Sequence, residues 1–420
     1  MHGNSVKPAS MKQRFLLIAQ PHSYRIAPYI KAAQRMDLEV LIASKGQHSL
    51  ITEVHAGLHI DLDDKPAALQ TMLTEANRFP FAGVLGSDDS TVELAASVAA
   101  KLGLPHNPPA AARISCRKDL ARAHLALGGC AVPIHCLIDL SKAIEKQMAG
   151  LPWPCVIKPL NLSASRGVIR ANNPQDFIDA CTRIKKIIAG AADEFERNHV
   201  LIEDYIDGIE IAYEGYLKNG ELHSLTIFDK PEPLIGPYFE ETIYLTPSRL
   251  EVTLQESVKQ TVQQACDIYG LKTGPVHAEL RIDKNNKPWI LEVASRTIGG
   301  DCARTLDSDN GFNIEELTIS LAMNRDYQTS KDEGYRGVMM MPIRQGGILR
   351  RVEGLSEARS IEHVESVDII IQEGNELTPL PEGNQYPGYI FARAQSQKEV
   401  IHALQTSFSK INFVVAPVIR

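Results

Sequence analysis

Two strand patterns separated by a polar turn constrain the fold of this chain more than any other stretch. Residues 277–283 alternate between polar and apolar side chains, and residues 289–293 form a second, more apolar run. The five residues 284–288 between them, Lys-Asn-Asn-Lys-Pro, are turn formers. The pattern predicts an antiparallel hairpin, in which Glu279 and Glu292 are candidates for neighbouring positions.

Two neighbouring carboxylates repel each other unless a cation lies between them. Mg²⁺ suits such ligands, because it binds one or two carboxylates and completes its shell with phosphate oxygens and water. Arg296 can stabilise phosphate charge, and Gly299 and Gly300 let a ligand approach the backbone. The alternative is a solvated face with a surface ion pair between Glu292 and Arg296. Glu292 lies within the apolar run 289–293, where an unpaired charge is costly, and this favours a site.

The hairpin resembles the metal-binding hairpin of the ATP-grasp superfamily, in which a Glu on one strand and a Glu in an E-V-N-x-R motif on the next hold Mg-ATP. The sequence Glu292-Val-Ala-Ser-Arg296 has Ala294 where many members have a metal-ligating Asn. The chain is similar to the L-amino acid ligase and biotin carboxylase-like branch, and amino-acid ligases can lack that Asn. The resemblance implies ATP and Mg²⁺ as cofactors, with Mn²⁺ able to substitute, and leaves the number of metal ions open.

A second signal begins where the predicted strand 154–159 carries Lys158 near its end. Residues 160–168, here called the phosphate loop, are mostly small or hydroxylated, so their backbone N–H groups can surround phosphates. Lys158 and Arg166 supply positive charge. This loop resembles the one that closes over ATP in ATP-grasp enzymes. The resemblance implies ATP contacts from Ser163, Ser165, Arg166, Gly167 and Val168.

The resemblance implies further ATP contacts on either side of this loop. Residues 200–210 resemble the family's adenine hinge, which offers backbone groups to the purine and a Glu after the turn to the ribose hydroxyls. Glu203 and Glu210 fit those positions, and Ile206 would contribute backbone groups. Read without the family, this stretch is a hairpin turn between strands, which is compatible. Lys118, on a predicted helix, would most often be merely solvated, and the resemblance makes it a phosphate contact.

The first part of the chain predicts an α/β domain, because three apolar strand runs alternate with helical stretches. These runs are 14–19, 39–43 and 83–86. Asp88 and Asp89 follow the third run, where open α/β sheets bind ligands. In the dipeptide ligases that this chain resembles, an acidic residue there binds the ammonium group of the amino acid, and we assign this role to Asp89. The alternative is that both aspartates only stabilise the N-terminus of the helix 92–102.

Other candidate substrate contacts are less constrained by pattern. Residues 228–242 are rich in proline and aromatic residues and predict a loop near the substrate. Lys230 in this loop is a candidate ligand contact, with simple solvation as its alternative. We predict four further substrate contacts in and after the hairpin: His277, Arg296, Gly299 and Gly300.

Composition excludes several classes of protein. The chain has 420 residues with a net charge of −7, which argues against broad binding to nucleic acid or an anionic membrane. Seven cysteines without a C-x-x-C pair predict reduced thiols and a cytoplasmic protein. No apolar run approaches the roughly 20 residues of a membrane span. We expect small-molecule partners, a carboxylate and an amine that are both expected to be amino acids, and we consider a homodimer.

The resemblance covers the chain from about residue 12 and implies its domain organisation. A leader at 1–12 is expected to be disordered. An N-terminal Rossmann-like, pre-ATP-grasp α/β domain is predicted at 13–112. The ATP-grasp core, a mixed α/β and α+β fold, is predicted at 113–330 with its small lobe at 135–205, and a small C-terminal α+β lobe at 331–420.

The implied activity is that of an ATP-grasp ligase forming a carbon–nitrogen bond. A carboxylate attacks the γ-phosphate of ATP, Lys158 and Arg296 offset the developing charge, and an amine then attacks the acyl phosphate, releasing ADP and phosphate. This chemistry needs no protein nucleophile. Two alternatives are a carboxylase that activates bicarbonate and a nucleotide-binding regulatory protein without turnover, the latter encouraged by Ala294.

Overall fold

The structure is a computed structural model that describes residues 12–21, 23–46, 57–307, 309, 311–328 and 333–418. The predicted leader, apart from Lys12, lies outside these residues. The chain divides into two compact units: the first comprises residues 1–109 with 313–328, and the second comprises residues 110–312 with 329–420. The three-domain division predicted above stays a prediction.

Strands and helices of the described residues are numbered in chain order. The strands are β1 Arg14–Ile18, β2 Glu39–Ser44, β3 Gly57–His59, β4 Phe81–Gly86, β5 His135–Asp139, β6 Cys155–Pro159, β7 Ile169–Ala171, β8 His199–Asp204, β9 Ile209–Lys218, β10 Glu221–Asp229, β11 Ile243–Thr246, β12 Gly274–Ile282, β13 Pro288–Ala294, β14 Tyr335–Met340, β15 Gly347–Glu353, β16 Val364–Ile369, β17 Glu376–Leu377, β18 Gly388–Ala394 and β19 Asn412–Ala416. The α-helices are α1 Ile26–Arg35, α2 Lys65–Arg78, α3 Val92–Leu102, α4 Pro109–Cys116, α5 Lys118–Leu127, α6 Pro174–Ile187, α7 Glu194–Asn198, α8 Val252–Tyr269, α9 Ile314–Ala322, α10 Leu355–Arg359 and α11 Gln397–Lys410.

The first unit is built on a parallel sheet of strand order β3-β2-β1-β4, which confirms the predicted α/β architecture. Parallel strands are covered on both faces and therefore read as continuous apolar runs. Phe15 and Leu17 pack on one face with Ile319 and Ala322 of α9, while Leu16 and Ile18 pack on the other. Helix α9, although remote in sequence, thus belongs to this unit.

The second unit contains three sheets. An eight-stranded sheet has the order β13-β12-β9-β10-β11-β14-β18-β16, a four-stranded sheet has the order β5-β8-β6-β7, and a three-stranded sheet has the order β17-β15-β19. All described pairings within these sheets are antiparallel. The large sheet therefore runs from the predicted metal-binding hairpin into the C-terminal residues, which contribute β14, β18 and β16 to it and form the three-stranded sheet with β15, β17 and β19.

Helix α8 covers one face of the large sheet. Five of its residues are buried in the core against β9, β12 and β13: Val258, Val262, Ala265, Cys266 and Tyr269. The opposite face of these three strands is left for polar side chains. Met339 and Met341 are buried in a second core, with Ile243 and Leu245 of β11.

Candidate active site

The polar face of the large sheet is produced by the two-residue period of its strands. His277, Glu279 and Arg281 alternate along β12 and therefore point to the same side. Across the pairing with β9, Glu214 lies opposite His277 and Glu210 lies opposite Arg281. The core-facing residues between them hold this register, because a slip of one residue would exchange the two faces.

The predicted pairing of Glu279 with Glu292 is confirmed. The two residues are direct partners across β12 and β13, and a bulge follows Glu279. Their side chains bind different cations: Glu279 lies 3.5 Å from Lys230 Nζ, and Glu292 lies 3.1 Å from Lys118 Nζ and 3.8 Å from Arg296. Both carboxylates are thus held in place by positive charge on the same face of the sheet.

Lys230 is the centre of a buried acidic cluster. Its ammonium lies 2.8 Å from Glu210, 2.5 Å from Glu241 and 3.5 Å from Glu279. Oxygens of these three carboxylates lie within 4.8 Å of one another, close enough to hold a metal ion. Three hard oxygen ligands fit a divalent cation such as Mg²⁺. Within the part of the chain that the structure describes, Glu292 does not belong to this group.

Burial and charge set the protonation of this cluster. Burial together with neighbouring Glu279 raises the pKa of Glu241 to about 7. Burial also acts to raise the pKa of Glu279, but the Lys230 ammonium and His277 outweigh it and hold that pKa well below its usual range. The Lys230 ammonium and His277 therefore favour the ionised form of Glu279, which is the form that binds a cation.

His277 lies next to Glu279 on the same face of the sheet and is paired with a second carboxylate, that of Glu214. Its Nδ1 lies 2.6 Å from Glu214 Oε1, and its Nε2 lies 3.7 Å from Glu279. Burial lowers the pKa of His277, but the bonds to Glu214 and Glu279 outweigh this and raise it to about 9. Its predicted substrate contact stays a prediction, because in this structure both ring nitrogens face carboxylates.

Glu203 bridges two cations in the interior. Its carboxylate lies 2.6 Å from Arg122 and 2.6 Å from Lys158 Nζ. Arg122 also donates to the backbone carbonyls of Ile290 and Leu291 in β13, at 2.7 and 2.8 Å. Helix α5, β8, β6 and β13 are thus tied together at one point, and Lys158 is aimed by Glu203.

The phosphate loop continues from β6 over this face. Lys118 Nζ donates to the carbonyl of Leu162 at 2.8 Å. Ala164 and Ser165 adopt left-handed φ values of 54° and 53°, which residues other than glycine seldom do. Gly167 has φ 72°, and a β-carbon there would lie 2.7 Å from Pro159 Cγ, so this position requires glycine.

A cavity of about 110 Å³ lies beneath this loop. Most predicted ATP and metal residues line it: Lys118, Lys158, Ser163, Ser165, Val168, Glu203, Ile206, Glu210, Glu279, Glu292 and Arg296. Gly167, Lys230, His277, Gly299 and Gly300 are not among its lining residues, and neither is Arg166, whose Nε donates to the carbonyl of Glu382 at 2.9 Å. The role of each of these residues stays a prediction.

Sequence reasoning missed three charged residues of the site. Arg281 shares the face of Glu279 by simple alternation, and Arg122 follows Lys118 by one helical turn, so both carried a periodic signal. Glu241 carried none, because it lies in the irregular segment 230–242 and reaches the cluster only through the fold.

Asp89 lies in the first unit, in the turn between β4 and α3. Its neighbour Asp88 performs the local structural role: the Asp88 carboxylate accepts from Ser87 Oγ at 2.7 Å and from the Ser90 backbone N–H at 3.1 Å. The hydroxyl of Thr91 exchanges hydrogen bonds with the Asp88 backbone. The Asp88 carboxylate and backbone thus hold the turn before α3, and substrate binding by Asp89 stays a prediction.

These features define an ATP-grasp enzyme: a loop rich in small residues over a cavity, two lysines beneath it, and paired carboxylates on an antiparallel hairpin. Three family comparisons agree with this class. The ATP-grasp domain matches residues 151–305, the ATP-grasp N-terminal domain matches 30–106, and the L-amino acid ligase C-terminal domain 2 matches 339–416. The chain belongs to the ATP-grasp superfamily and to its carbon–nitrogen ligase class.

Individual relatives agree with this placement. The chain is 21% identical to the uncharacterised protein y4rH of Sinorhizobium fredii over 421 residues, covering 99% of this chain and 86% of that protein. It is 27% identical to alanine–anticapsin ligase of Bacillus subtilis over 200 residues, covering 44% of this chain and 41% of the relative, so less than two thirds of that enzyme is matched. The crystal structure of L-amino acid ligase from Bacillus licheniformis has the same fold, with a TM-score of 0.80, 23% identity and coverage of 96% and 99%.

Two structural features bear on membrane association and on the state of the cysteines. Among the described residues, no helix combines the length and the apolar character needed to cross a membrane. None of the seven cysteines forms a disulfide.

Proposed function

We propose that this enzyme joins the carboxylate of one amino acid to the amine of a second, through an acyl phosphate made from ATP. The observation that carries the proposal is the convergence of Lys118, Lys158 and Arg296 with Glu279 and Glu292 around one cavity. Three cations suit a triphosphate, and the two carboxylates suit the metal ion that accompanies it.

Each charged residue has a specific part in this reaction. Lys158, aimed by Glu203, binds phosphate oxygens as a point charge. Arg296 stabilises negative charge that develops as the carboxylate attacks the γ-phosphate. Lys118, which already contacts the phosphate loop, draws that loop towards the phosphates. The loop then excludes water, which protects the acyl phosphate from hydrolysis until the amine attacks.

Glu279 and Glu292 would hold Mg²⁺, which when bound neutralises phosphate charge. The chain also supplies positive charge of its own at the two carboxylates, because Lys230 lies against Glu279 and Lys118 lies against Glu292. We infer that these ammonium groups balance the charge of the two carboxylates before the metal ion arrives. Ala294, which is fully buried opposite His277, offers no further ligand.

The C-terminal family match favours amide formation over the carboxylase alternative. It covers residues 339–416 and belongs to L-amino acid ligases, whereas the ATP-grasp domain match is common to both reactions. We therefore propose small-molecule amino acids as partners, with Mg²⁺ as the physiological metal and a cytoplasmic location consistent with the free thiols.

The deciding experiment is a phosphate-release screen with ATP and Mg²⁺ against all pairs of the proteinogenic amino acids, followed by mass spectrometry of the products. We expect release that requires two amino acids, with a product mass equal to their sum less one water. Glu292→Gln protein is the matched control for contaminating ATPase. Release that depends on bicarbonate, or no release with any pair, would refute the proposal.

A further inference from the structure

The outer side of the phosphate loop is held by the C-terminal part of the chain. The Gly167 backbone N–H donates to the carbonyl of Pro381 at 2.9 Å, and Arg166 Nε donates to the carbonyl of Glu382 at 2.9 Å. Both acceptors belong to residues 378–383, here called the C-terminal turn. Arg166 therefore points away from the nucleotide cavity and lines a separate cleft with Glu382 and Arg183.

The C-terminal turn is a rigid support. The Gly383 N–H donates to the carbonyl of Pro379 at 2.9 Å, and a β-carbon at Gly383 would lie 1.8 Å from the carbonyl oxygen of Thr378. The preceding strand β17 is fixed by Leu377, which is buried with Leu349 of β15. Proline residues within the turn restrict its backbone further. Its carbonyl groups are therefore preformed acceptors for the loop.

Arg183 of α6 connects this turn to Tyr238. Its Nε and Nη2 bind the two carboxylate oxygens of Glu382, with Nη2 at 2.8 Å, which is the bidentate geometry that favours arginine. Its Nη1 donates to the hydroxyl of Tyr238, and its guanidinium lies 5.1 Å from the centre of that ring. The Arg183 guanidinium also lowers the pKa of the Glu382 carboxyl, so the pair is ionised.

The closed loop must open for a nucleotide to enter. The cavity beneath it has about 110 Å³, whereas pockets for ligands of this size have about 300–1,000 Å³. The left-handed backbone of Ala164 and Ser165 is a strained conformation, which persists only where surrounding contacts hold it. The hydrogen bonds that Arg166 and Gly167 donate to the C-terminal turn are such contacts, and they lie on the side of the loop away from the cavity.

We propose that Glu382 is a positioning residue for the phosphate loop: by binding Arg183 it holds the C-terminal turn against the loop, and so controls how readily the loop opens to admit and release nucleotide. The contacts between the loop and the C-terminal turn do not depend on which ligand binds, whereas the identity of that ligand as ATP rests on the proposed function.

The test measures hydrogen exchange of residues 163–168 in the nucleotide-free protein and the dissociation rate of a fluorescent ADP analogue. Glu382→Gln removes the charge but leaves the backbone carbonyl that accepts from Arg166. We expect about threefold faster exchange and about threefold faster dissociation, the size expected for one half-exposed ion pair. The melting temperature should not change, since the pair lies at the surface of a well-packed core.

Glu353→Gln is the matched control. Glu353 forms a comparably exposed pair with Arg351, 2.7 Å apart on β15, and neither residue contacts the phosphate loop in the described structure. Loop exchange and ADP dissociation in this variant should equal those of wild type. Exchanging the charges in a Glu382→Arg, Arg183→Glu double variant should restore slow exchange, which a purely structural loss would not do.

Loop exchange and nucleotide binding test the role of Glu382 and the proposed function separately. Equal loop exchange in Glu382→Gln and wild type would overturn the positioning role, as would additive effects of Glu382→Gln and Arg183→Gln, because residues that act through each other are not additive. Faster exchange with unchanged ADP dissociation would overturn control of nucleotide release. Wild-type protein that binds no nucleotide by calorimetry would instead contradict the proposed function, while the exchange measurement would still decide the role of Glu382.

Discussion

Glu203 gives a quantitative test of the electrostatics of the site. Its side chain is 2% exposed and binds Arg122 through one carboxylate oxygen and Lys158 through the other. Glu203→Gln preserves the shape of the side chain but can accept hydrogen bonds through one oxygen only, and its amide group must then face the second cation. The variant therefore leaves a buried cation without a counter-charge.

The size of the effect follows from the pKa of Glu203. Burial raises this pKa, but Arg122 and Lys158 outweigh burial and lower it from 4.5 to about 2. That change corresponds to about 3 kcal/mol of stabilisation. Removal of one partner from a buried ion pair costs about 3–5 kcal/mol, which is a similar size. We expect Glu203→Gln to lower the free energy of unfolding of the second unit by about 3 kcal/mol at pH 7.

The pH dependence has a definite sign. Because the pKa of Glu203 is lower in the folded than in the unfolded chain, its stabilisation is present above pH 4.5 and is lost as the pH falls towards 2. Glu203→Gln has no such group to titrate. The difference in unfolding free energy between wild type and variant should therefore be constant from neutral pH down to the unfolded pKa and should narrow below it.

Urea unfolding followed by tryptophan fluorescence measures this difference. Trp153 and Trp289, the two tryptophans of the chain, both lie in the second unit, so the signal reports on the unit that contains Glu203. Glu353→Gln, at a half-exposed pair, is the control and should unfold like wild type. A loss in Glu203→Gln below about 1 kcal/mol, the range of surface pairs, would refute the argument that this triad is electrostatically strong.

Three further predictions concern the metal ion, the loop and the substrate. Glu279→Gln should lower turnover more than about a hundredfold while circular dichroism shows an intact fold, because it removes a proposed metal ligand; near-normal activity at ordinary Mg²⁺ would contradict this. Gly167→Ala should weaken ATP binding measured by calorimetry, because its β-carbon meets Pro159, whereas Gly150→Ala, at φ 80° with open space around it, should leave affinity unchanged. Asp89→Asn should raise KM for the amino acid about tenfold at unchanged melting temperature. Asp88→Asn should instead lower the melting temperature, since the Asp88 carboxylate accepts the local hydrogen bonds. A lower melting temperature with unchanged KM in Asp89→Asn would place the ammonium site elsewhere.

Local pattern was sufficient for much of the fold. Helix α3 begins and ends at the predicted residues, and the hairpin pairs Glu279 with Glu292 as predicted. Both successes have the same cause, since an apolar period and a short turn specify register among residues that are near in sequence. The resemblance to ATP-grasp motifs predicted which residues contact ATP and the metal ion, and most of these residues line one cavity in the structure.

Only the tertiary structure decided which distant charges meet. Glu241 joins Glu210 and Glu279 around Lys230, and no spacing along the chain indicates this. Arg166 carries the charge that the sequence suggested, yet its guanidinium turns to Glu382, 216 residues away. The physical reason is that the sequence determines which side chains carry charge and where strands alternate, whereas the direction of a charged side chain depends on the partner that packing places beside it, and burial then determines how strongly the two interact.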